Sequence, residues 1–409
     1  MSTIFPIKTT TSCQLKWNFS SIYLPFLQTA SCHRVQRNNF DLESFNFHNT
    51  PEKIRDRNKM LEGQWPGHGC EHCKNIEQAG GTSDRMIHLD FEGFRAPKEL
   101  EFDPHAVSVT PRIVEIYFSN NCNFKCVYCV PEFSSKINAE NLKFGKFEKN
   151  GVTIKGHIDI PEQIDLYTEK LFDWLDKNLA DLDRIQILGG EPFIQKQTTR
   201  LIDFLAQRNI EHLEITVFSN LSVENTKFFD LVHKLKQLKL KQVNIVASID
   251  TWNSAAEYIR SGLDLSTFEK NFEHLLYNTD FVLNINSALN VLGVACLPDL
   301  VRKINHWNKT RTVYWSLMKT GGWDYWQLGI FGPVIADLGY RQAIDLFETD
   351  QSPEKQNYKD YFYGIEKEIR SSQPNPELQL KLKTFLEELD RRRNTDYKTV
   401  FPEIAKLLS

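Results

Sequence analysis

Three cysteines lie within eight residues, in the segment NCNFKCVYC, and their types and spacing suit metal chemistry. Thiolates at this spacing, from Cys122, Cys126 and Cys129, can bind three irons of one 4Fe–4S cluster from a single short loop. The fourth iron would then have no nearby protein ligand, and metal sites with an open position do chemistry. A structural zinc site needs four close ligands, and no histidine lies between residues 106 and 155. The spacing therefore favours a reactive iron–sulfur cluster.

A second group of cysteines, here called the auxiliary cysteines, consists of Cys13, Cys32, Cys70 and Cys73. The last two form a Cys-x2-Cys pair. Such a pair with two distant cysteines is typical of either a zinc ribbon or a fully ligated iron–sulfur cluster. Three nearby histidines are alternative zinc ligands: His33, His68 and His72. The residues alone leave both kinds of metal site open.

The overall composition excludes several classes of protein. The 409 residues are enough for two or three domains, and 41% of them are apolar. A net charge of −4 gives no reason to expect nucleic acid or a membrane as a partner. No stretch approaches about 18 consecutive apolar residues, and residues 1–13 do not resemble a signal peptide. We therefore expect a cytoplasmic protein whose cysteines bind metal rather than form disulfides.

The three-cysteine segment follows the first of six apolar runs that are rich in β-branched residues. Helical stretches separate these runs, an alternation that predicts βαβ units and a parallel sheet covered on both faces. The predicted strands span residues 113–118, 184–188, 214–218, 243–249, 282–291 and 313–318. We therefore predict an α/β fold, a partial (β/α)6 barrel of the TIM type. The cysteines would lie at its carboxyl edge, where active sites collect.

Other segments predict elements around this barrel. Residues 21–27 are strand-like, residues 49–63 predict one helix, and apolar residues recur at helical spacing over 164–179 and 228–235. Residues 130–160 form an insertion that is expected to be a lid or substrate loop. Beyond about residue 335 the chain should be helical. Arg391–Arg393 are expected to be a solvated helix end, where positive charge suits the helix dipole.

The loop around Cys122 resembles the radical S-adenosylmethionine (SAM) superfamily, which has Cys-x3-Cys-x2-Cys with an aromatic residue, here Tyr128, before the third cysteine. The resemblance implies that SAM chelates the open iron, and that an electron cleaves it to methionine and a 5′-deoxyadenosyl radical. It also implies a flavodoxin- or ferredoxin-type electron donor. The protein's share would be to position the substrate and exclude side reactions.

Further residues match the family in the expected order along the chain. The segment LGGEP follows the second strand, and FSN and SID end the third and fourth strands. Glu191 is expected to hold the SAM ammonium, and Arg260 resembles an arginine that pairs with the SAM carboxylate in relatives. Ser248 and Asp250 are expected to meet the ribose hydroxyls or the methionine part. The implied SAM-binding residues are Tyr128, Gly189, Gly190, Glu191, Ser219, Asn220, Ser248, Asp250 and Arg260.

The segment GHGCEHCKNIEQAGGTSDR resembles the half-SPASM or twitch module of many radical SAM enzymes, which holds an auxiliary 4Fe–4S cluster. Ser83 and Arg85 would then donate hydrogen bonds to cluster sulfurs. The matching residues are Glu77, Gly80, Gly81, Ser83 and Arg85. Zinc remains the alternative, and the module here precedes the catalytic domain instead of following it. Four cysteines suggest full ligation and thus an electron-relay or structural role.

These observations divide the chain into a twitch-like module (1–95), a radical SAM core (108–330) and a helical extension (331–409). Cys296 belongs to neither cysteine set, and it is either a hydrogen donor to a substrate radical or an ordinary core residue. Four tryptophans near the sixth strand line a substrate pocket or belong to the core: Trp307, Trp315, Trp323 and Trp326.

The expected function is that of a radical SAM enzyme, and a peptide side chain is the preferred substrate. The alternative is a dehydrogenase, lyase or epimerase of a small metabolite such as a sugar, nucleoside or amino acid. A third hypothesis, an electron carrier without catalysis, predicts cluster redox activity without release of 5′-deoxyadenosine.

Overall fold

The computed structural model describes residues 9–67, 69–86, 108–320, 323–348 and 355–409. For Glu348 and residues 355–360 only the backbone is described.

A nine-stranded sheet forms the centre of the molecule, in the order β13-β12-β10-β9-β8-β4-β1-β2-β3. Six strands, β4, β8, β9, β10, β12 and β13, run parallel and follow each other in chain order, as a partial (β/α)6 barrel requires. The predicted α/β fold and its six strands are confirmed. The strands of this sheet are β1 (Phe19–Tyr23), β2 (Gln28–Ala30), β3 (Asn38–Asn39), β4 (Ile113–Tyr117), β8 (Arg184–Leu188), β9 (Glu214–Ser219), β10 (Gln242–Ser248), β12 (Val282–Leu289) and β13 (Val313–Lys319).

Helices between the parallel strands cover the sheet and bury its apolar runs. Leu171 and Leu175 of one helix and Phe228 and Leu235 of another are fully or almost fully buried in the same core as the strands, which confirms their predicted helical stripes. The helices of this part are Ile164–Asn178, Lys196–Leu205, Asn225–Gln237, Asn253–Ile259, Leu265–Asn278 and Leu297–Trp307.

The N-terminal segment extends the same sheet. β1 pairs in parallel with β4, Phe19 opposite Ile113 and Tyr23 opposite Tyr117, and β2 and β3 follow as antiparallel strands. One sheet thus crosses the predicted boundary near residue 95, although residues 87–107 lie outside the described part and the division into three domains stays a prediction. The helices here are Leu15–Asn18, Pro51–Leu61 and Glu71–Gln78.

The prediction of a strand over residues 21–27 was wrong in its second half. β1 ends at Tyr23, a 3-10 turn spans Leu24–Phe26, and Leu27 has a left-handed backbone. Pro25 has no amide hydrogen for a strand ladder, so the chain turns here despite its apolar side chains. The predicted helix at 49–63 is confirmed as Pro51–Leu61, with the Thr50 side chain accepting from the Lys53 amide.

The insertion and the C-terminal helices meet on one side of the barrel. The insertion contains the helix Ser135–Phe144 and a hairpin of β6 (Phe147–Lys149) and β7 (Val152–Ile154). The long C-terminal helix contacts both, through Asn150 to Thr384 and Arg392 to the Gly145 carbonyl. The C-terminal helices are Arg341–Glu348, Lys355–Ser371, Pro376–Arg393, Tyr397–Val400 and Pro402–Leu407. None of the helices in the described ranges has the length and apolarity that a bilayer crossing requires.

Candidate functional site

The three-cysteine loop, residues 122–129, lies just beyond the carboxyl end of β4. Two short strands brace it: β5 (Lys125–Cys126) pairs with β11 (Arg260–Ser261), which places Cys126 opposite Arg260. Ser134 donates to the Phe124 carbonyl at 2.6 Å, and Ser135 donates to the Cys122 carbonyl at 3.2 Å. The residues that follow the loop therefore fix its first part.

The three thiols of this loop are gathered in surroundings that favour a bound cation. Burial and mutual repulsion raise the pKa of Cys122, and they raise the pKa of Cys129 to about 12. Burial also raises the pKa of Cys126, against the attraction of the Arg260 guanidinium, whose nitrogen lies 4.0 Å from its sulfur. Thiols that resist ionisation this strongly become ligands when a metal supplies positive charge. The donor set therefore fits an iron–sulfur cluster.

A single ion would need its ligands around one point. No three Cys, His, Asp or Glu side chains are arranged in that way within the described residues. A 4Fe–4S cube binds each cysteine to a different iron, so its ligands are spaced more widely than those of one zinc ion.

Gly189 and Gly190 bring a second loop into backbone contact with the cysteine loop. Gly190 has φ +58°, and a Cβ atom there would overlap the Asn121 carbonyl oxygen. The Glu191 amide donates to that same carbonyl at 2.8 Å, and the Gln195 side chain donates to the Gly189 carbonyl at 2.6 Å. Only glycine allows this approach at this backbone conformation.

Glu191 has no exposed surface and is held by three donors. One carboxylate oxygen accepts from the Ser219 hydroxyl at 2.7 Å and from the Phe193 backbone amide at 3.0 Å. The other oxygen accepts from the Asn220 backbone amide at 2.7 Å. Burial raises the pKa of Glu191 to about 7, and these hydrogen bonds limit the rise. The structure thus brings three of the predicted SAM-binding residues together beside the cysteine loop.

Asn123 is a residue of this site that the sequence analysis missed. Its side-chain oxygen accepts from the side-chain amide nitrogen of Asn220 at 2.8 Å, and its own side-chain amide nitrogen donates to the Ser222 carbonyl at 2.8 Å. It thereby ties the cysteine loop to the end of β9. The sequence feature that could have indicated this role is the position of Asn123, a polar residue between the first two cysteines of the loop.

Asp250, Arg260 and Tyr128 form a buried cluster of their own. Arg260 donates to both Asp250 oxygens at 3.0 Å, the Tyr128 hydroxyl donates to Asp250 at 2.5 Å, and the Ala288 amide donates at 2.8 Å. The guanidinium and the carboxylate thus bind each other, whereas the sequence assigned both to SAM. Ser248 ends β10 and is half-buried. The cluster holds the aromatic residue of the cysteine motif against the barrel.

A cavity of about 460 Å³ opens beside Cys126 and Cys129. Trp323, Phe385 and Leu389 line it with apolar surface, and residues of the insertion close another side. Of the four tryptophans, Trp323 therefore lines a pocket, and the other three belong to the buried core: Trp307, Trp315 and Trp326.

The prediction that Arg391–Arg393 form a solvated helix end was wrong for two of the three. The Arg392 and Arg393 side chains are 1% and 6% exposed, while that of Arg391 is 57% exposed. Arg393, at the cavity, donates to both Glu140 oxygens at 3.1 and 3.0 Å. Because Glu140 precedes Arg393 by more than 250 residues, the helix sequence alone could not reveal this partner.

Cys296 lies apart from this cavity. It immediately precedes the helix Leu297–Trp307, is half-buried, and has Asp299 and Glu403 as charged neighbours. It is not among the residues that line the cavity beside Cys126. The structure gives no support to a hydrogen-donor role, which stays a prediction.

The four auxiliary cysteines, by contrast, do come together and line one small cavity. Burial raises the pKa of Cys13 to about 12 and that of Cys70 to about 11, and repulsion between the thiols adds to both. Of the histidines named as alternative ligands, His33 and His72 are not among the residues that line this cavity, and His68 lies outside the described residues.

The hydrogen bonds predicted from Ser83 and Arg85 to cluster sulfurs go elsewhere. Ser83 donates to Glu77 at 2.5 Å, and Arg85 pairs with the same carboxylate and donates to the Ser12 carbonyl at 2.7 Å. These bonds lower the pKa of Glu77, although burial opposes them. Gly80 and Gly81 lie in the turn before Ser83. This network supports the fold of the segment around the cysteines.

The two cysteine sets lie at opposite ends of β4. Ile113, its first residue, packs in one apolar cluster with Cys13 and Cys70, whereas Cys122 follows its last residue, Tyr117. A strand of this length spans roughly 13 Å, at about 3.3 Å per residue. The auxiliary cysteines therefore lie at the amino edge of the parallel sheet, away from the edge that carries Glu191 and the cysteine loop.

Comparisons with known proteins show similarity to one family over part of the chain. The sequence profile of the Radical SAM superfamily matches residues 116–277. GTP 3′,8-cyclase of Vibrio vulnificus (strain YJ016) is 24% identical over 214 residues, 50% of this chain and 53% of that protein. GTP 3′,8-cyclase of Moorella thermoacetica is 30% identical over 142 residues, 34% of each chain. The chain thus spans about half or less of the curated relatives it matches.

Solved structures give weaker likenesses. Streptococcus suis SuiB bound to the precursor peptide SuiA has a TM-score of 0.39 and 14% identity, over 83% of this chain and 66% of that one. Native anSMEcpe with bound AdoMet and Cp18Cys peptide has a TM-score of 0.35 and 16% identity, over 62% and 61%.

The matched residues contain the cysteine loop, Glu191 and the strands β8, β9 and β10. The Radical SAM superfamily model therefore covers the part of the chain that carries the candidate site, and this match supports the predictions of an enzyme of that kind with a 4Fe–4S cluster and SAM as its cofactors.

Proposed function

We propose that the chain binds SAM at the three-cysteine loop and uses the 5′-deoxyadenosyl radical to remove a hydrogen atom from a substrate. The observation that carries this proposal is the meeting of one buried and two half-buried thiols with the Glu191 loop at the carboxyl edge of the sheet. When bound, the 4Fe–4S cluster supplies the electron for SAM cleavage.

In this proposal Glu191 receives the SAM ammonium. An ionised carboxylate has about four acceptor positions, two on each oxygen. The Glu191 oxygen that faces Ser219 accepts two hydrogen bonds from the protein, and the oxygen that faces Asn220 accepts one. The oxygen that faces Asn220 retains capacity for one more donor. Ser219 and Asn220 then orient the carboxylate instead of contacting the coenzyme through their own side chains.

Arg260 and Asp250 act as a brace in this proposal. Their mutual ion pair and the Tyr128 hydroxyl fix the cysteine loop from the side of β10. The Arg260 guanidinium also brings positive charge close to the Cys126 sulfur, which stabilises the thiolate.

The cavity beside Cys126 is the proposed substrate site. Trp323, Phe385 and Leu389 give it an apolar wall, and such a wall keeps water away from a reactive intermediate. The ion pair of Glu140 and Arg393 closes the wall at the end of the C-terminal helix.

A peptide side chain is the substrate that we favour, because the segment around Cys70 and Cys73 resembles modules that accompany many peptide-modifying radical SAM enzymes. A small metabolite is the second candidate, and the similarity to GTP 3′,8-cyclases over residues of the core favours it. Deuterium transfer separates the two. Deuterated peptides or deuterated nucleotides and sugars are incubated with enzyme and SAM, and label in 5′-deoxyadenosine identifies the class that donates hydrogen.

The auxiliary cysteines are proposed to bind a second 4Fe–4S cluster, with zinc as the alternative. Because they lie at the amino edge of the sheet, a cluster there would relay electrons or stabilise the fold and would not touch the substrate.

A flavodoxin- or ferredoxin-type protein is the proposed electron donor. The N-terminal module, the core and the helical extension are kept as proposed functional divisions of the chain.

The central test is release of 5′-deoxyadenosine. Anaerobically reconstituted enzyme with dithionite and SAM should release it, and Cys126→Ala should not, because the variant lacks one of three cluster ligands. Liquid chromatography with mass spectrometry measures the product. Equal release by both proteins would contradict the assignment of the cysteine loop, and a redox-active wild type without release would support the electron carrier.

A further inference from the structure

Lys16 is a charged residue that the proposed function leaves unexplained. Its side chain is 2% exposed, in a short helix that begins two residues after Cys13, and it lines the cavity of the auxiliary cysteines. Its ammonium donates to Asp56 at 2.6 Å. A buried ammonium is costly unless negative charge surrounds it, and Asp56 is 16% exposed and thus partly hydrated.

Cluster-bound sulfurs of the auxiliary cysteines would supply the remaining negative charge, because a metal holds them as thiolates. Lys16 interacts electrostatically with three of the four, those of Cys13, Cys32 and Cys70. Burial lowers the pKa of Lys16, but attraction to Cys70 and the attraction and hydrogen bond of Asp56 raise it overall. The ammonium is therefore shared between a carboxylate and the cavity in which a cluster would lie.

The other two cations of this cavity are engaged differently. Arg85 pairs with Glu77 and donates to the Ser12 carbonyl. Arg34 pairs with Asp84 at 2.8 Å, and its side chain is 46% exposed, so that solvent screens its charge. Of the described cations that line the cavity, Lys16 is the most deeply buried, and its field acts through a medium that screens it least.

We propose that Lys16 is the fixed counter-charge of the auxiliary cluster, held in place by Asp56, and that this pair sets the reduction potential of that cluster. The inference rests on the proposed second 4Fe–4S cluster. Reduction adds one electron and makes the cluster more negative, so a nearby ammonium stabilises the reduced form and raises the potential. The Asp56 carboxylate opposes this effect. Lys16 is a positioning and tuning residue that makes no contact with SAM or substrate.

Opposite charge changes should shift the potential in opposite directions. In the full-length protein with both clusters, Lys16→Gln should lower the midpoint potential of the auxiliary cluster, and Asp56→Asn should raise it. We expect each variant to change the ratio of oxidised to reduced cluster at least tenfold at fixed potential, which is about 59 mV for a one-electron couple. Redox titration followed by electron paramagnetic resonance measures it, and the auxiliary signal is the one that SAM does not alter.

Arg34→Gln is the matched control, because it removes a cation from the same cavity at an exposed position. It should leave the auxiliary midpoint unchanged. Equal shifts for Arg34→Gln and Lys16→Gln, or shifts of the same sign for Lys16→Gln and Asp56→Asn, would overturn the proposal. If Lys16→Gln binds no auxiliary cluster, restoration of iron by Lys16→Arg supports a role of charge. If Lys16→Arg also binds no auxiliary cluster, Asp56→Asn decides the outcome. A raised midpoint potential of its auxiliary cluster supports the proposal, and an unchanged or lowered one overturns it.

Metal content separates this inference from the function on which it rests. Wild-type protein with two cubes contains about eight irons. If it contains about four and one zinc, the second cluster itself is refuted. If it contains about eight and the two variants show no opposed shifts, only the role of Lys16 is refuted.

Discussion

Glu191 couples the stability of the fold to pH, because it is a carboxyl group without exposed surface. Its pKa is about 7 in the folded protein and 4.5 in an unfolded chain. Between these values the folded state binds the extra proton, so stability falls as pH rises from 4.5 to 7 and stays level above. Ionising this buried group costs about 3 kcal/mol over that window.

We therefore expect the cluster-free protein to lose stability between pH 5 and pH 7, and we expect Glu191→Gln to lose less stability over the same interval. Urea denaturation at several pH values measures the difference. Glutamine disturbs the hydrogen bonds with Ser219 and Asn220 at every pH, so the comparison concerns the pH dependence and not the absolute stability. Parallel pH profiles of the two proteins would show that Glu191 is already ionised at pH 5.

At the scale of elements, the C-terminal helix is joined to the insertion by a buried ion pair. Arg393 contacts Glu140 through two hydrogen bonds, and both side chains are 6% exposed. Removing one partner of a buried pair leaves the other uncompensated. Arg393→Ala should therefore lower the free energy of unfolding by about 3 kcal/mol. Lys125, which also contacts Glu140, limits the loss.

Arg391→Ala provides the control for this prediction. Arg391 lies two residues earlier on the same helix, but its side chain is 57% exposed and pairs with Glu388. Arg391→Ala should lower the free energy of unfolding far less than Arg393→Ala does, because solvent screens exposed ion pairs. Urea denaturation of both variants tests the contrast. Equal losses would mean that the burial of Arg393 does not govern its contribution.

Sequence reasoning succeeded where each element carries its own signal. The six parallel strands are rich in apolar and β-branched residues and the cysteine loop directly follows the first of them, so local pattern was enough. It failed where the partner is distant. Arg393 looked like a solvated charge because Glu140 is far away in the chain, and no sequence pattern indicated that Arg260 pairs with Asp250. Pairings of this kind depend on the folded arrangement and leave no periodic trace.

At the scale of the whole molecule, β1 makes the N-terminal segment part of the main sheet. It covers one side of β4, whose residues Ile113, Val114 and Ile116 are buried. A chain that lacks residues 1–86 would expose an apolar strand with an unpaired edge, a template for aggregation. We expect such a truncated protein to elute as large aggregates in size-exclusion chromatography.

The control keeps β1 and removes only the metal ligands. Full-length protein with Cys13, Cys32, Cys70 and Cys73 all changed to alanine should lose the auxiliary metal but keep the elution volume of the wild type. A truncated protein that stays monomeric would show that the edge of β4 needs no cover, and an aggregated four-alanine variant would assign the protective role to the metal instead of the strand.

The pairing of β5 with β11 also has a consequence for how the protein is made. Cys126 takes its place only when Arg260 lies opposite, and the Val127 amide needs the Ile259 carbonyl at 2.8 Å. A ribosome must therefore release the first two-thirds of the polypeptide before the three thiols acquire their final spacing. Iron delivered earlier would meet a loose loop, so assembly factors in the cell would find a competent receptor only on a chain that is at least two-thirds synthesised.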